Sequence, residues 1–493
     1  MLAWLGRQTR HLFWFALMLA LLLLLAEGAL RAWGFSYYWT VARGAEPDLG
    51  WIPLPRVESR QDWEGDAEIR TNALGFRGPG YAEKPARTLR IAVIGDSFTE
   101  AVQVPEHRTW WARLDERIRG CMPAGYDAIQ VQNFGVSGYS TVQAMLTFDK
   151  YVKPFQPDWV VLNFFPGNDI EENHPTLAKD KMRPFVRKRN ERYLMDHAFR
   201  DSPAWRRLEA EGRMQSLRRL RLVQLVDAAI DQWTLKQQAK TQATASWLDA
   251  EPGVDIALYR PPQSREWEEA WGLTEWAVLA LADRVVAAGM QFQLMIATTG
   301  YQTLPDESRL RFAERHALSD LDYPWRRLQA YAESRGIDSL ALAPVLRFWV
   351  EQTRTPLHGF PNTAPNIGHW NANGHRAATD ALGARICARL NPIPVLAPPA
   401  VQAVPGSAFA AERTHEPVVA PTPDVRGDNG STSSVSSPAE APAPRAEPSD
   451  SEVTLDLLPA GGDSADDRVP APELSSDQPR TNPPVDPAPF VTQ

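Results

Sequence analysis

The sequence predicts an α/β protein: a three-layer α/β/α sandwich around a parallel sheet, with a helical insertion, an N-terminal transmembrane helix and a disordered C-terminal tail. Three observations carry this prediction. Short apolar runs alternate with amphipathic helical patterns, an uncharged stretch stands near the N-terminus, and the composition changes abruptly after residue 390.

The apolar runs are residues 89–94 (LRIAVI), 129–133, 159–164 (WVVLNF) and 291–297 (QFQLMIA). Each is rich in β-branched residues and ends at turn-forming or polar residues, the pattern of a strand buried on both faces of a parallel sheet. Helical patterns cover residues 110–119, 141–151, 267–288, 323–334 and 373–390. Strands alternating with helices imply parallel crossovers and hence a layered sandwich, which we place at residues 45–390. Residues 171–262 interrupt this rhythm. They are crowded with charge, including Lys179, Lys181, Arg183, Arg187, Lys188, Arg189 and Arg192, and read as a largely helical insertion whose best helix is 217–233. A basic run of this kind is usually a solvated face; the sharper alternative is a lid or groove for an anionic glycan.

At the N-terminus, Arg7, Arg10 and His11 precede fifteen uncharged residues, Leu12 to Ala26, followed by Glu27 and a further apolar turn. Extended through Leu30, the segment is ~28 Å long as a helix, close to the ~30 Å hydrocarbon core. No convincing Ala-x-Ala cleavage site follows, so residues 1–32 are expected to be an uncleaved anchor rather than a signal peptide. Positive charge ahead of the span predicts a cytoplasmic N-terminus, with everything after residue ~32 outside the cytoplasm. The expected location is therefore the inner, cytoplasmic membrane, single-pass, with the folded domain in the periplasm.

The last 103 residues hold 20 of the 42 prolines. Such a segment buries too little apolar surface to offset its ordering entropy, so residues 391–493 are expected to be disordered. Their 15 acidic and 5 basic residues give −10 of a chain total of −8, which leaves residues 1–390 near +2. No basic excess remains to suggest nucleic-acid binding. Two cysteines, Cys121 and Cys387, are too few for a disulfide-dependent mini-domain or a cysteine zinc site. In an oxidising compartment they permit one bridge; two buried thiols are the equal alternative.

The polar clusters stand where the predicted strands end, the edge at which open α/β sheets place working residues. The first strand runs into Gly95-Asp96-Ser97, the second into Asn133-Phe134-Gly135-Val136-Ser137-Gly138, and the third into Pro166-Gly167-Asn168-Asp169. A serine just past a strand end is open to a substrate carbonyl, loop glycines bring backbone N–H groups close to a ligand, and an asparagine amide is a neutral oxyanion donor. Near the C-terminus His369-Trp370-Asn371 precedes the last helical pattern and supplies an imidazole able to take a serine proton.

Taken together, GDSFTEA, NFGVSGYS, PGND and HWNANGH resemble, in order, the four sequence blocks of the SGNH (GDSL-type) hydrolase superfamily. The stretch NALGFRG at residues 72–78 also resembles the lead-in of membrane-anchored bacterial members. The resemblance implies a flavodoxin-like fold and a serine esterase without a cofactor. Ser97 is then the nucleophile, His369 its base, and the oxyanion hole is made by the Ser97 N–H, the Gly138 N–H and the Asn168 side chain. Two departures stand out. Ala101 replaces the glycine that usually closes the first block, a change expected to alter only local packing. The catalytic aspartate normally three residues before the histidine is Asn366, so either another carboxylate or a backbone carbonyl orients His369, or the enzyme works as a Ser–His dyad.

Other signals are discounted. Gly-x-Ser-x-Gly and HExxH are absent, and His358, His369 and His375 are explained without a metal. Trp110 and Trp111 are expected in the core, and Trp370 beside the base is a candidate sugar-stacking residue. The leading expectation is hydrolysis of O-acyl esters of an envelope or exported polysaccharide, or of a lipid-like ester. The alternatives are acyl transfer to a polysaccharide, as in the alginate O-acetyltransferases that the layout resembles, and an inactive glycan-binding or envelope-assembly protein.

Overall fold

In the computed structural model, which describes residues 2–190, 192–241, 251 and 253–391, five strands form one parallel sheet. These are β1 (Thr88–Gly95), β2 (Ala128–Asn133), β3 (Trp159–Phe164), β4 (Gln291–Ile296) and β5 (Ser339–Ala341). Their spatial order is β5-β4-β3-β1-β2, so the chain steps from β1 outward to β2 and then returns across β1 to β3. In open sheets of this kind ligands bind beyond the carboxyl ends of the strands, at the point where the direction of winding reverses. The registers Val93↔Asn133 and Gly95↔Asn163 bring the ends of β1, β2 and β3 to one edge.

Both faces of the sheet are covered, which explains why the strands read as continuous apolar runs. Along β1, Ala92 and Ile94 face one core layer while Ile91 and Val93 face the other. The first layer holds α2 (Thr141–Thr147), α4 (Arg265–Ala287) and α5 (Tyr323–Ser334); the second holds α6 (Leu342–Thr353), α7 (Ala372–Leu390) and the segment carrying Trp110 and Trp111. Trp110 and Trp111 are 0% and 2% exposed, as core tryptophans should be. The edge strand β5 has three residues, too short for a visible period in the sequence.

The insertion, expected to be largely helical, also holds a hairpin. This antiparallel pair, Phe185–Arg189 with Arg192–Asp196, stands ahead of its longer helices. Only Phe185 and Val186 of the first strand turn inward, and the rest of that strand is exposed Arg and Lys, which hid the two-residue period. The long helix of the insertion, α3, spans Arg221–Thr241 rather than starting at residue 217.

The N-terminal helix α1 (Leu2–Ala32) contains a 25-residue span, Gln8–Ala32, long and apolar enough to cross a membrane. Its last turns are built into the domain: both Glu27 carboxylate oxygens accept from the start of α3, from Arg221 N at 3.0 Å and Leu222 N at 2.9 Å. Two short hairpins then lead to β1, Gly44–Glu46 with Gly50–Ile52 and Glu58–Gln61 with Ala67–Arg70. The expected disordered tail, apart from Asn391, lies outside the described residues.

Cys121 and Cys387 are joined, with their Cα atoms 5.4 Å apart across 266 residues of sequence. The bridge ties the end of the short helical segment at residues 114–121 to α7. Removing it by Cys121→Ser with Cys387→Ser should lower unfolding stability by about 2–4 kcal/mol, because the unfolded chain regains the freedom of a long closed loop. Urea denaturation of the oxidised protein and the double variant checks this.

Candidate active site

β1 ends where no side chain fits: a Cβ at Gly95 would stand 2.6 Å from the Asn163 carbonyl oxygen of β3. Asp96 then turns the chain. Its side chain accepts the Phe98 N–H at 2.9 Å and caps the helical turn Ser97–Glu100. Ser97, first residue of that turn, is half-buried at the carboxyl edge of the sheet. The turn closes on Ala101, whose φ of 56° lies in the left-handed region. The departure from glycine is thus a matter of backbone conformation, not only of packing, since a Cβ is disfavoured there.

His369 approaches from the loop before α7. Ser97 Oγ lies 2.8 Å from His369 Nε2, across 272 residues of sequence. The other ring nitrogen, Nδ1, is 2.5 Å from Glu64 Oε2, and the His369 backbone N–H donates to Glu64 Oε1 at 2.9 Å. One carboxylate therefore fixes both the ring and the peptide that carries it. Asn366 does not hold the orienting position: it takes a left-handed turn at φ 68°, and its N–H donates to the His358 carbonyl at 3.0 Å. Glu64 takes that place from the tip of the second N-terminal hairpin.

Sequence reasoning missed Glu64, which stands 305 residues from His369. The available signal was indirect: with Asn366 unable to serve, a carboxylate had to come from elsewhere. Asn362 fastens the hairpin tip to the histidine loop, accepting from Gly65 N at 2.9 Å and donating to Asp62 O and Gly65 O at 2.8 Å each. Glu251, from the end of the insertion, was also missed. Its buried carboxylate accepts from Gly368 N at 3.1 Å and Gly300 N at 2.9 Å, so a second acid braces the peptide next to His369.

Burial favours the neutral imidazole, but the Glu64 charge and hydrogen bond outweigh it and raise His369 above its ordinary value. Glu64 shows the reciprocal effect: burial raises its carboxyl, and the His369 charge and hydrogen bonds more than reverse this. Burial pushes Glu251 up to about 7 against the N–H groups it accepts. The neighbouring histidines are structural. Burial pushes His358 down to about 4 and His375 down to about 3. His358 bridges Gly368 O at 2.6 Å and Thr298 Oγ1 at 3.0 Å, while His375 Nδ1 accepts the Trp110 N–H at 3.3 Å.

Trp370 is corrected by its burial. It is 0% exposed, its indole N–H donates to Thr298 Oγ1 at 3.1 Å, and its ring packs edge-on against Phe98. It has no free face for a sugar; it supports the loop instead.

The oxyanion candidates stand at the ends of β1, β2 and β3. Gly138 takes φ 78°, which suits glycine. Among the described residues no acceptor takes the Ser97 or Gly138 N–H. Asn168 Nδ2 donates to Glu172 Oε2 at 3.1 Å, and Glu172 is itself paired with the buried Arg183 at 3.1 Å. This fixes the amide and leaves its second N–H to donate elsewhere. Beside it, burial and the charge of Asp96 raise the Asp169 carboxyl well above the carboxylate range, and burial raises Asp96 to about 7. Asn168→Ala should lower kcat on an acyl ester by about 10²–10³ with little change in KM, the loss typical of one oxyanion donor. Steady-state kinetics on a chromogenic acetate ester measures it.

No family model and no curated protein matches the chain. Among solved structures it is similar to the acetyl xylan esterase AlAXEase, at 12% identity and TM-score 0.31, over 60% of this chain and 99% of that one. It is similar also to a catalytic mutant of the acetylxylan esterase Axe2 from Geobacillus stearothermophilus, at 13% identity and TM-score 0.32, over 63% and 95%. A third is a putative lipolytic protein of the G-D-S-L family from Desulfitobacterium hafniense, at 11% identity and TM-score 0.27, over 60% and 98%. At such identities the chemistry must be read from this chain's own side chains.

Proposed function

We propose that the chain is a membrane-anchored serine esterase of the SGNH kind, acting outside the cytoplasm on O-acyl esters of an envelope or exported polysaccharide. The observation that carries the esterase reading is the continuous chain from Ser97 Oγ through the His369 ring to the Glu64 carboxylate. A serine hydroxyl is a weak nucleophile until a positioned base takes its proton, and that base works best when a buried anion fixes its tautomer and stabilises the imidazolium.

The reaction follows from these positions. Ser97 Oγ attacks the ester carbonyl carbon as its proton passes to His369 Nε2, and the carbonyl oxygen becomes an oxyanion facing the N–H groups of Ser97, Gly138 and Asn168. Collapse breaks the bond to the alcohol oxygen, which takes the proton from His369 and departs as the sugar hydroxyl. Water then gives a proton to His369 and attacks the acyl-serine; the proton returns to Ser97 Oγ as the carboxylic acid leaves. No cofactor is required.

The anchor and compartment are supported by the charge ahead of the uncharged stretch at residues 12–26, by the disulfide, which suits an oxidising compartment, and by Glu27, whose loss would uncap α3. Intact mass spectrometry of the purified protein should therefore show the N-terminal residues retained; a mature start near residue 30 would contradict the anchor. The polysaccharide substrate rests on that compartment. The deciding assay incubates the enzyme with an O-acetylated glycan, with and without an unacetylated acceptor glycan. Release of acetate unaffected by acceptor supports the hydrolase; acetyl recovered on the acceptor makes it a transferase using the same acyl-serine. Neither product would overturn the enzyme reading.

A further inference from the structure

We infer that the outward face of α3 lies on a phospholipid bilayer beside the point where α1 leaves it, so that two elements hold the domain at the membrane. This rests on the reading of α1 as a retained anchor. The first observation is that α3 is amphipathic in the wrong sense for a water-facing helix. Its inward side is polar: Gln224, 2% exposed, accepts the Tyr37 N–H at 3.0 Å and donates to Arg218 O at 3.1 Å, and Asp231 accepts the Tyr37 hydroxyl at 2.7 Å. Its outward side is apolar: Leu225, Val226, Ile230 and Trp233 are 41%, 58%, 55% and 64% exposed. At ~100° per residue these four fall within an arc of roughly 140°. A helix that turns polar groups to the protein and large apolar groups outward is matched to an apolar medium.

The second observation says which medium. Glu27, near the end of the apolar span of α1, receives the first two amides of α3, so α3 begins at the level where α1 would emerge from the bilayer. Trp33, 82% exposed, stands one residue past the end of α1, the usual place for an interfacial tryptophan. The third observation is charge. A cleft of about 490 Å³ beside the start of α3 is lined by Arg31, Arg56, Arg70, Arg219 and Arg221 against one acid, Glu58, a lining suited to lipid phosphates next to an apolar face that would enter the boundary between headgroups and acyl chains.

The test places a nitroxide on one introduced cysteine at a time in the full, disulfide-bonded chain, reconstituted in nanodiscs containing phosphatidylglycerol. The positions are Leu21→Cys in α1, Val226→Cys and Ile230→Cys in α3, and Glu209→Cys on an exposed polar surface. Oxygen concentrates in lipid and a nickel chelate is excluded from it. We expect the labels at 21, 226 and 230 to be relaxed several-fold more by oxygen, and several-fold less by nickel, than the label at 209. Labels at 226 and 230 that match 209, with 21 in lipid, would overturn the inference and leave the anchor standing. Labels at 226 and 230 shielded from both reagents would mean that protein covers the face, and would overturn it equally. An aqueous label at 21 would remove the anchor reading itself.

Discussion

Replacing Ser97 by alanine should reduce turnover of an acyl ester by about 10⁶-fold, because the substitution removes the atom to which the acyl group is transferred. The residual rate would come from the N–H groups around the oxyanion and from binding alone. The fold should be untouched: Ser97 is half-buried and its hydroxyl's partner is the His369 ring. His369→Ala should cost about as much, and the double variant little more, since nucleophile and base act as a unit. Single-turnover and steady-state rates on one substrate, with matched melting curves, measure all three. A Ser97→Ala variant within tenfold of wild type would mean that another group carries the acyl chemistry.

Glu64→Gln is expected to have the next largest effect, a loss of about 10⁴ in kcat, the cost when an amide replaces the orienting carboxylate in such a triad. Its pH dependence gives a second readout. The base form of His369 is lost as pH falls through its pKa, which Glu64 holds above the ordinary imidazole value. With the anion gone, burial dominates and the pKa falls, so the acidic limb of kcat/KM should move to lower pH even as the plateau drops. A plateau loss without this displacement would assign Glu64 to holding the loop and not to the histidine's charge.

Much of this architecture was legible in the sequence because parallel strands buried on both faces leave uninterrupted apolar runs, and because the working residues sit where those runs stop. Ser97 was visible as a serine at the end of the first run, but the roles of Ser97 and His369 came from the resemblance of GDSFTEA and HWNANGH to SGNH blocks. Glu64 could not, since nothing in local pattern connects a hairpin tip to a loop 305 residues away; only the amide at Asn366 pointed to a missing carboxylate. Trp370 misled because an aromatic beside a base looks the same in sequence whether it faces substrate or core. An isolated bridge between His358 and Trp370 and the bond to Thr298 turn it inward. The hairpin at Phe185–Arg189 was hidden by basic residues on its outward positions, and β5 was too short to show a period. The polarity reversal of α3 was equally invisible, because which side of a helix faces the protein is decided by its partners.

The most direct measurement is covalent labelling by a fluorophosphonate, read by intact mass and peptide mapping, on wild type, Ser97→Ala and Glu64→Gln. An activated serine attacks the phosphorus, and the adduct mimics the tetrahedral intermediate. We expect one adduct per wild-type chain, located on Ser97, none on Ser97→Ala, and labelling of Glu64→Gln slowed by orders of magnitude. A wild-type protein that is folded and disulfide-bonded yet unlabelled at Ser97 would contradict the account.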